Sequence, residues 1–250
     1  MIFIKKLICT CILAGLFSSS LCAQQVKKDT NSFVSTSIAH AVNNFNNTMG
    51  EQIRLYNGPE YLLYQHNLKG NALFPLTAQG LEPGEVHYDG YTFKNVPMMY
   101  DIYKDVVVVL LYNKFTLYTL LTERVHDFTL LGHHFIRINA DSLKNNEARM
   151  ETGFYDQLYS GKSELLARRI KTLQTSSGTA ASLETYFLEK NEYYLKKGNT
   201  YYKVDGRGSF FKVLKDKKNL LQKYLKDNNI SFRENPELAM AELAAFYDQN

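Results

Sequence analysis

The chain has 250 residues, with 29 basic and 25 acidic side chains, 18 tyrosines, 15 phenylalanines and no tryptophan. That near balance gives no electrostatic reason to expect nucleic acid as a partner. Cys9, Cys11 and Cys22 are the only cysteines, so beyond residue 22 there is no disulfide, thiolate metal site or cysteine nucleophile to consider.

Residues 1–23 carry the three parts of a secretory signal. Lys5 and Lys6 form the positive start, Leu7 to Phe17 the apolar run, and Ser18 to Ala23 the small-residue exit. The run is shorter than the roughly 20 residues a helix needs to span a bilayer. Cleavage is expected after Ala23. Lipidation at Cys22 is the less favoured alternative, because Leu21 stands where a small residue is wanted. Residues 24–250 are then expected to form one exported β-rich domain, periplasmic, outer-membrane-associated or released, with no later run long enough to cross a membrane. Without Lys5 and Lys6 its charge is 27 basic against 25 acidic residues.

The spacing of Val34, Ile38, Ala41, Val42 and Phe45 predicts a short helix over 33–49. Gln52 to Tyr56 and Tyr61 to Tyr64 flank Asn57-Gly58-Pro59 as a hairpin, and Asn67 to Pro83 is expected to be a connecting loop. A meander follows. Asp89-Gly90 suits a type I′ turn between 85–88 and 91–93, and Pro97 marks a sheet edge or strand entry. Val106 to Leu111 is apolar on both faces and should be a central strand covered on both sides, by a second sheet layer or a helix. Further strands are expected at 115–121, 125–129 and 135–138. Residues 139–152 read as a mobile loop, 153–159 and 163–172 as a hairpin, 174–182 as a surface loop, and 192–196 with 200–204 as another hairpin.

Beyond Asp205-Gly206-Arg207-Gly208 the apolar period lengthens to 3.6. This predicts a helix from Ser209 as N-cap to Asn228, then a second from Asn235-Pro236 to about Tyr247. The fold class is therefore α+β: antiparallel meander and hairpins, as a sandwich or rolled sheet, with a short N-terminal helix and a helical cap over about 209–248. A transmembrane barrel is disfavoured by the two-sided apolar strand and the polar-faced C-terminal helices.

The order of YDGYTFKNVPMMYDIYKDVVVV, FTLLGHHFIRI, GFYDQLYSGKSELLARRIKT, EYYLKKGNTYYKV and DKKNLLQKYLKDNNISF resembles a family of exported Bacteroidetes proteins of no known activity. The likeness covers roughly Tyr56 to Tyr247. It implies export and a β-rich fold with a helical end, and it carries no catalytic residues across.

No catalytic or metal pattern stands out. His133 and His134 are adjacent, so strand alternation sends them to opposite faces, and His126 with Asp127 has the same limitation. No metal and no cofactor are expected. Ser160-Gly161 lacks a nucleophile elbow, and Asp205-Gly206-Arg207-Gly208-Ser209 lacks the Lys-Ser/Thr of a phosphate loop. What remains are basic and aromatic candidates for binding: Arg168 and Arg169 on one strand, Lys212, Lys215 and Lys218 on the cap, and Tyr194 and Tyr202 on the last hairpin. Without tryptophan, cross-strand packing is the first expectation for these tyrosines, ahead of a sugar platform. The sequence thus points to a non-catalytic binding or structural module of the envelope, with an envelope protein or small ligand as partner. Its alternatives are a hydrolase whose site is built from 67–83 and 139–152, and a binder of anionic surfaces or partners through the basic helix, with peripheral membrane contact.

Overall fold

The computed structural model describes residues 34–41, 54–64, 68–75, 77, 80–177 and 183–250. The secretory signal and the remainder of the N-terminal helix expected over 33–49 lie outside these residues. Two compact units divide the chain, Met1–Ile53 and Arg54–Asn250. Of the first, helix α1 (34–41) is described, and its side chains are exposed.

The second unit is built on one mainly antiparallel sheet. Its twelve described strands are β1 (Leu68–Lys69), β2 (Leu73–Phe74), β3 (Glu82–Tyr88), β4 (Tyr91–Asp101), β5 (Val106–Leu110), β6 (Leu117–Thr119), β7 (Val125–Leu130), β8 (His133–Ile138), β9 (Gly153–Ser160), β10 (Glu164–Ser177), β11 (Leu183–Lys197) and β12 (Thr200–Lys203). The path runs β1-β11-β10-β9-β8-β7-β3-β4-β5-β6, with β12 on β11 and β2 on β4. Three helices follow: α2 (Arg207–Val213), α3 (Lys218–Asp227) and α4 (Pro236–Gln249). The class is α+β, and the sheet is rolled. The backbone of Lys171 on β10 donates to Ile102 O at 3.2 Å just beyond β4, so the two halves of the path curl toward each other.

The roll encloses an aromatic centre. Phe128 and Phe135 stack at 4.8 Å, Tyr100 meets both edge-on, and Phe154 meets Phe128 edge-on. Each such ring contributes on the order of 1.5–3 kcal/mol by leaving water. Val107 and Val109 point into this core, while Val108 points outward against Tyr61 and Met99. β5 is thus covered on both faces, as its composition requires. The outer cover is neither a sheet layer nor a helix; it is the extended segment 60–64, tied to β6 by Tyr61 N to Leu117 O at 2.7 Å.

Several local expectations are corrected. Residues 54–64 form no hairpin: Glu60 bridges to Tyr118 on the neighbouring strand instead. The expected loop over 67–83 contains β1 and β2 and the start of β3, and β1 pairs in parallel with β11, far along the chain. Pro97 lies inside β4, opposite Pro83. Both prolines are tolerated because each sits one residue past the end of the ladder on its other side, at Met98↔Val109 and Gly84↔Leu130. Residues 174–177 belong to β10, whose pairing with β11 continues to Ser177↔Leu183. The loop 139–152 is held in place, with Asn146 bonded both ways to Met150, and it buries Met150 against Tyr155, Leu166 and Tyr194.

Asp89 and Gly90 both take positive φ, 51° and 81°, as the type I′ turn demands. Asn235 caps α4 by accepting from Leu238 N at 3.0 Å, with Pro236 in the first turn.

The helix expected from Ser209 to Asn228 is broken. α2 begins after Gly206, and Ser209 acts from inside it, its Oγ accepting from Asp205 N at 2.9 Å and donating to Gly206 O at 3.0 Å. Helical bonding stops at the buried Leu214. Two residues on, Asp216 is held by Lys197 Nζ at 2.6 Å and Tyr247 OH at 2.8 Å. These anchors, on β11 and α4, fix the turn that separates α2 from α3. The helices cover one face of β9–β12 through Leu165, Leu195, Phe210, Leu214, Leu221 and Leu243.

Candidate functional site

Among the described residues, the cap presents two concave surfaces lined by cations. Because the chain turns at Leu214, Lys212, Lys215 and Lys218 fall on one side of it. With Arg207, Phe211 and Gln222 they line a groove of about 450 Å³. A second groove, of about 810 Å³, lies between α3 and the segment leading to α4. Its walls include Arg207, Gln222, Lys226, Asn229, Ser231, Phe232 and Arg233, with Asp205 and Glu234 also present. The two grooves share Arg207 and Gln222.

What sets this surface apart is that its unpaired cations are grouped along two grooves, whereas other exposed lysines such as Lys114 and Lys144 line neither groove. Lys197 pairs with Asp216, Lys190 and Lys203 with Glu192, Arg168 with Glu151, and Arg169 with Asp156 and Glu237. Among the described residues, no carboxylate lies in ion-pair range of Arg207, Lys212, Lys215, Lys218, Lys226 or Arg233. Arg207 instead covers the Phe211 ring at 5.7 Å. All six cations are exposed.

The seven residues expected to bind do not assemble. Lys212, Lys215 and Lys218 come together. Arg168 lies over the Tyr155 ring and pairs with Glu151. Arg169 is buried, its guanidinium shared between Asp156 and Glu237. Tyr194 is buried against Tyr155 at 5.7 Å, with its hydroxyl on Glu192. Tyr202 is exposed on β12, away from the residues lining either groove. Gln222 joins the site from within α3, and Asn229, Ser231 and Arg233 join it through the turn between α3 and α4.

Two other constellations carry chemistry. Three histidines converge on Asp127: His87 Nδ1 at 2.6 Å, His134 Nε2 at 3.2 Å and, contrary to strand alternation, the adjacent His126 Nδ1 at 2.6 Å. His87 stands directly opposite Asp127, and His134 lies two residues from Asp127's partner Ile136 on the same face, while His126 joins through a bulge. His87 pairs with Asp127 and Tyr88 with Val125, which leaves His126 as an extra residue with no opposite number. Burial would raise the Asp127 carboxyl, but its bonds to His126, His134 and His87 more than offset that and hold it below the ordinary range. No group of three or more His, Asp or Glu side chains stands in metal-holding geometry among the described residues.

The second constellation is structural. Asp156 accepts from His133 Nδ1 at 2.9 Å and from Arg169, and Arg169 reaches on to Glu237, which also accepts from Tyr193 OH at 2.7 Å. This chain of bonds ties β8, β9, β10 and β11 to α4. A small pocket of about 290 Å³, lined by Tyr61, Tyr64, Leu73 and Phe187, adjoins the buried Lys171, whose Nζ donates to Leu73 O and Asn71 Oδ1. Burial pushes the Lys171 ammonium below its ordinary range.

Fold and site together define a rolled antiparallel sheet with a cationic helical cap. No helix among the described residues is long and apolar enough to cross a membrane. No family model, curated protein or solved structure matches the chain.

Proposed function

We propose that this protein is an exported, non-catalytic binding module of the cell envelope that engages an anionic partner through the cap. The observation carrying this reading is the set of six exposed cations lining two adjoining grooves with no carboxylate in ion-pair range. Folding gains nothing from such a concentration, since like charges repel across an exposed surface. An anionic ligand would relieve that repulsion and accept their free hydrogen bonds. Export rests on the pattern of residues 1–23, and membership of a family of exported Bacteroidetes proteins on the order of the meander and cap segments.

The test is binding of the full chain to immobilised heparin. Wild type should be retained and elute with rising salt, as a surface charge interaction requires. The triple change Lys212→Glu, Lys215→Glu and Lys218→Glu should weaken retention by about tenfold or more, given three contacts of some tenths of a kcal/mol to 1 kcal/mol each. Equal retention of the folded variant would remove the reading.

A further inference from the structure

We infer that the ligand is an extended acidic polysaccharide laid along both grooves. This rests on the reading of the cap as an anion-binding surface and narrows it by three observations.

The first is spacing. Lys218 and Lys226 stand eight positions apart on α3, which at 1.5 Å per residue separates them by about 12 Å along the helix. Arg207 and Gln222 form the wall common to both grooves, so the cations make a track. A single phosphate is gripped by donors converging within about 3 Å of its oxygens. Cations strung over this distance match a chain whose charges recur.

The second is the chemistry between the charges. Gln222 and Asn229 line the larger groove, and their side-chain amides make no hydrogen bond among the described residues. Ser231 lines it as well. Free amides suit sugar hydroxyls, as does the Ser231 hydroxyl, which accepts from Glu234 N at 3.3 Å and can still donate, and the half-buried Phe232 ring gives an apolar wall for a sugar face. Asp205 and Glu234 fit the same reading. Their carboxylates can accept from the ring hydroxyls that a uronate chain carries between its own carboxylates, an arrangement a phosphodiester chain without such hydroxyls does not offer.

The third is shape. The cations line concavities, and a linear chain fills a groove. A membrane surface would contact the rims and leave the amides of Gln222 and Asn229 without partners.

The experiment measures binding of the full chain to a galacturonate disaccharide, a galacturonate decasaccharide, inorganic phosphate and vesicles containing phosphatidylglycerol. It is repeated with Arg207→Glu at the shared wall and with Gln222→Ala, each checked for an unchanged thermal transition. The decasaccharide should bind at least about tenfold more tightly than the disaccharide, because linked contacts add without a second association cost. Arg207→Glu should remove most of that advantage, and Gln222→Ala should weaken the decasaccharide while leaving salt dependence unchanged. Equal affinity for the two sugars, or displacement of the decasaccharide by millimolar phosphate, would overturn the extended chain while leaving anion binding in place. Tighter binding to vesicles than to the decasaccharide would overturn it in favour of a lipid surface. Failure of all four probes would overturn both this inference and the reading beneath it.

Discussion

Arg169 on β10 grips Glu237 in the first turn of α4 with both terminal nitrogens, Nη1 to Oε1 at 2.5 Å and Nη2 to Oε2 at 3.0 Å. Its Nε and Nη2 also reach Asp156 Oδ2, so one buried guanidinium joins the sheet to the cap that carries the grooves. Removing it would leave Asp156 buried without its main counter-charge. Arg169→Met should therefore cost about 3 kcal/mol in denaturant unfolding. Glu151→Gln, at a pair whose carboxylate is largely exposed, should cost no more than about 0.5 kcal/mol. Equal losses would mean that the buried network is not what holds the cap.

The same pair sets a pH dependence. Burial would raise the Glu237 carboxyl, but bonds from Arg169 and Tyr193 more than offset it and hold the group below the ordinary glutamate range. A carboxyl depressed by folding contributes stability above its unfolded pKa and loses it as pH falls through its folded value. The stability gap between wild type and Glu237→Gln should then be full at pH 7 and shrink from about pH 5 downward. Asp127, also depressed, acts in the same direction in both proteins. Asp105, raised by its burial, acts in the opposite direction: its contribution is full at low pH and lost as pH rises through its folded value. A gap that stays constant between pH 7 and pH 3 would contradict the assignment to Glu237.

Gly58 holds the cover strip 54–64 against the sheet. A Cβ built there would stand 1.8 Å from Thr119 O, a backbone atom of β6 that cannot move aside cheaply. Gly58→Ala should destabilise by about 2 kcal/mol and speed hydrogen exchange at Tyr61 N, which bonds to Leu117 O. Unchanged exchange would show that the strip is not fixed at this contact.

The β7–β8 turn offers a gain. Leu131 has φ 52°, followed by Gly132 at 81°, a conformation in which asparagine is at home and leucine is strained. Leu131 is 45% exposed, so little packing is lost on replacement. Leu131→Asn should raise stability by about 0.5–1 kcal/mol, visible as a higher melting temperature. A lower one would mean that the leucine's contacts outweigh its backbone strain.

Much of the fold was readable from local chemistry. Asp89-Gly90, the two-sided Val106 run and the Asn235-Pro236 cap each depend on neighbours in sequence, and each formed as its residues dictate. The failures have long-range causes. The break at Leu214 depends on Asp216 meeting Lys197 and Tyr247, which are 19 and 31 residues away. The convergence on Asp127 depends on His87 pairing with it across β3 and β7, on His134 lying diagonally from it on β8, and, for His126, on a bulge in the β3–β7 pairing. Of the candidate site, the lysines at 212, 215 and 218 were visible as charge. That Arg169 and Tyr194 would be consumed by the interior was not visible, because their partners Glu237 and Tyr155 are brought to them only by the roll of the sheet and the docking of α4.

Lysine acetylation footprinting of the full chain tests the cap most directly. With saturating galacturonate decasaccharide, Lys212, Lys215, Lys218 and Lys226 should become protected, while the exposed Lys114 and Lys144 should label as before. Equal labelling of the cap lysines with and without the polymer, or protection confined to residues outside the two grooves, would contradict the account.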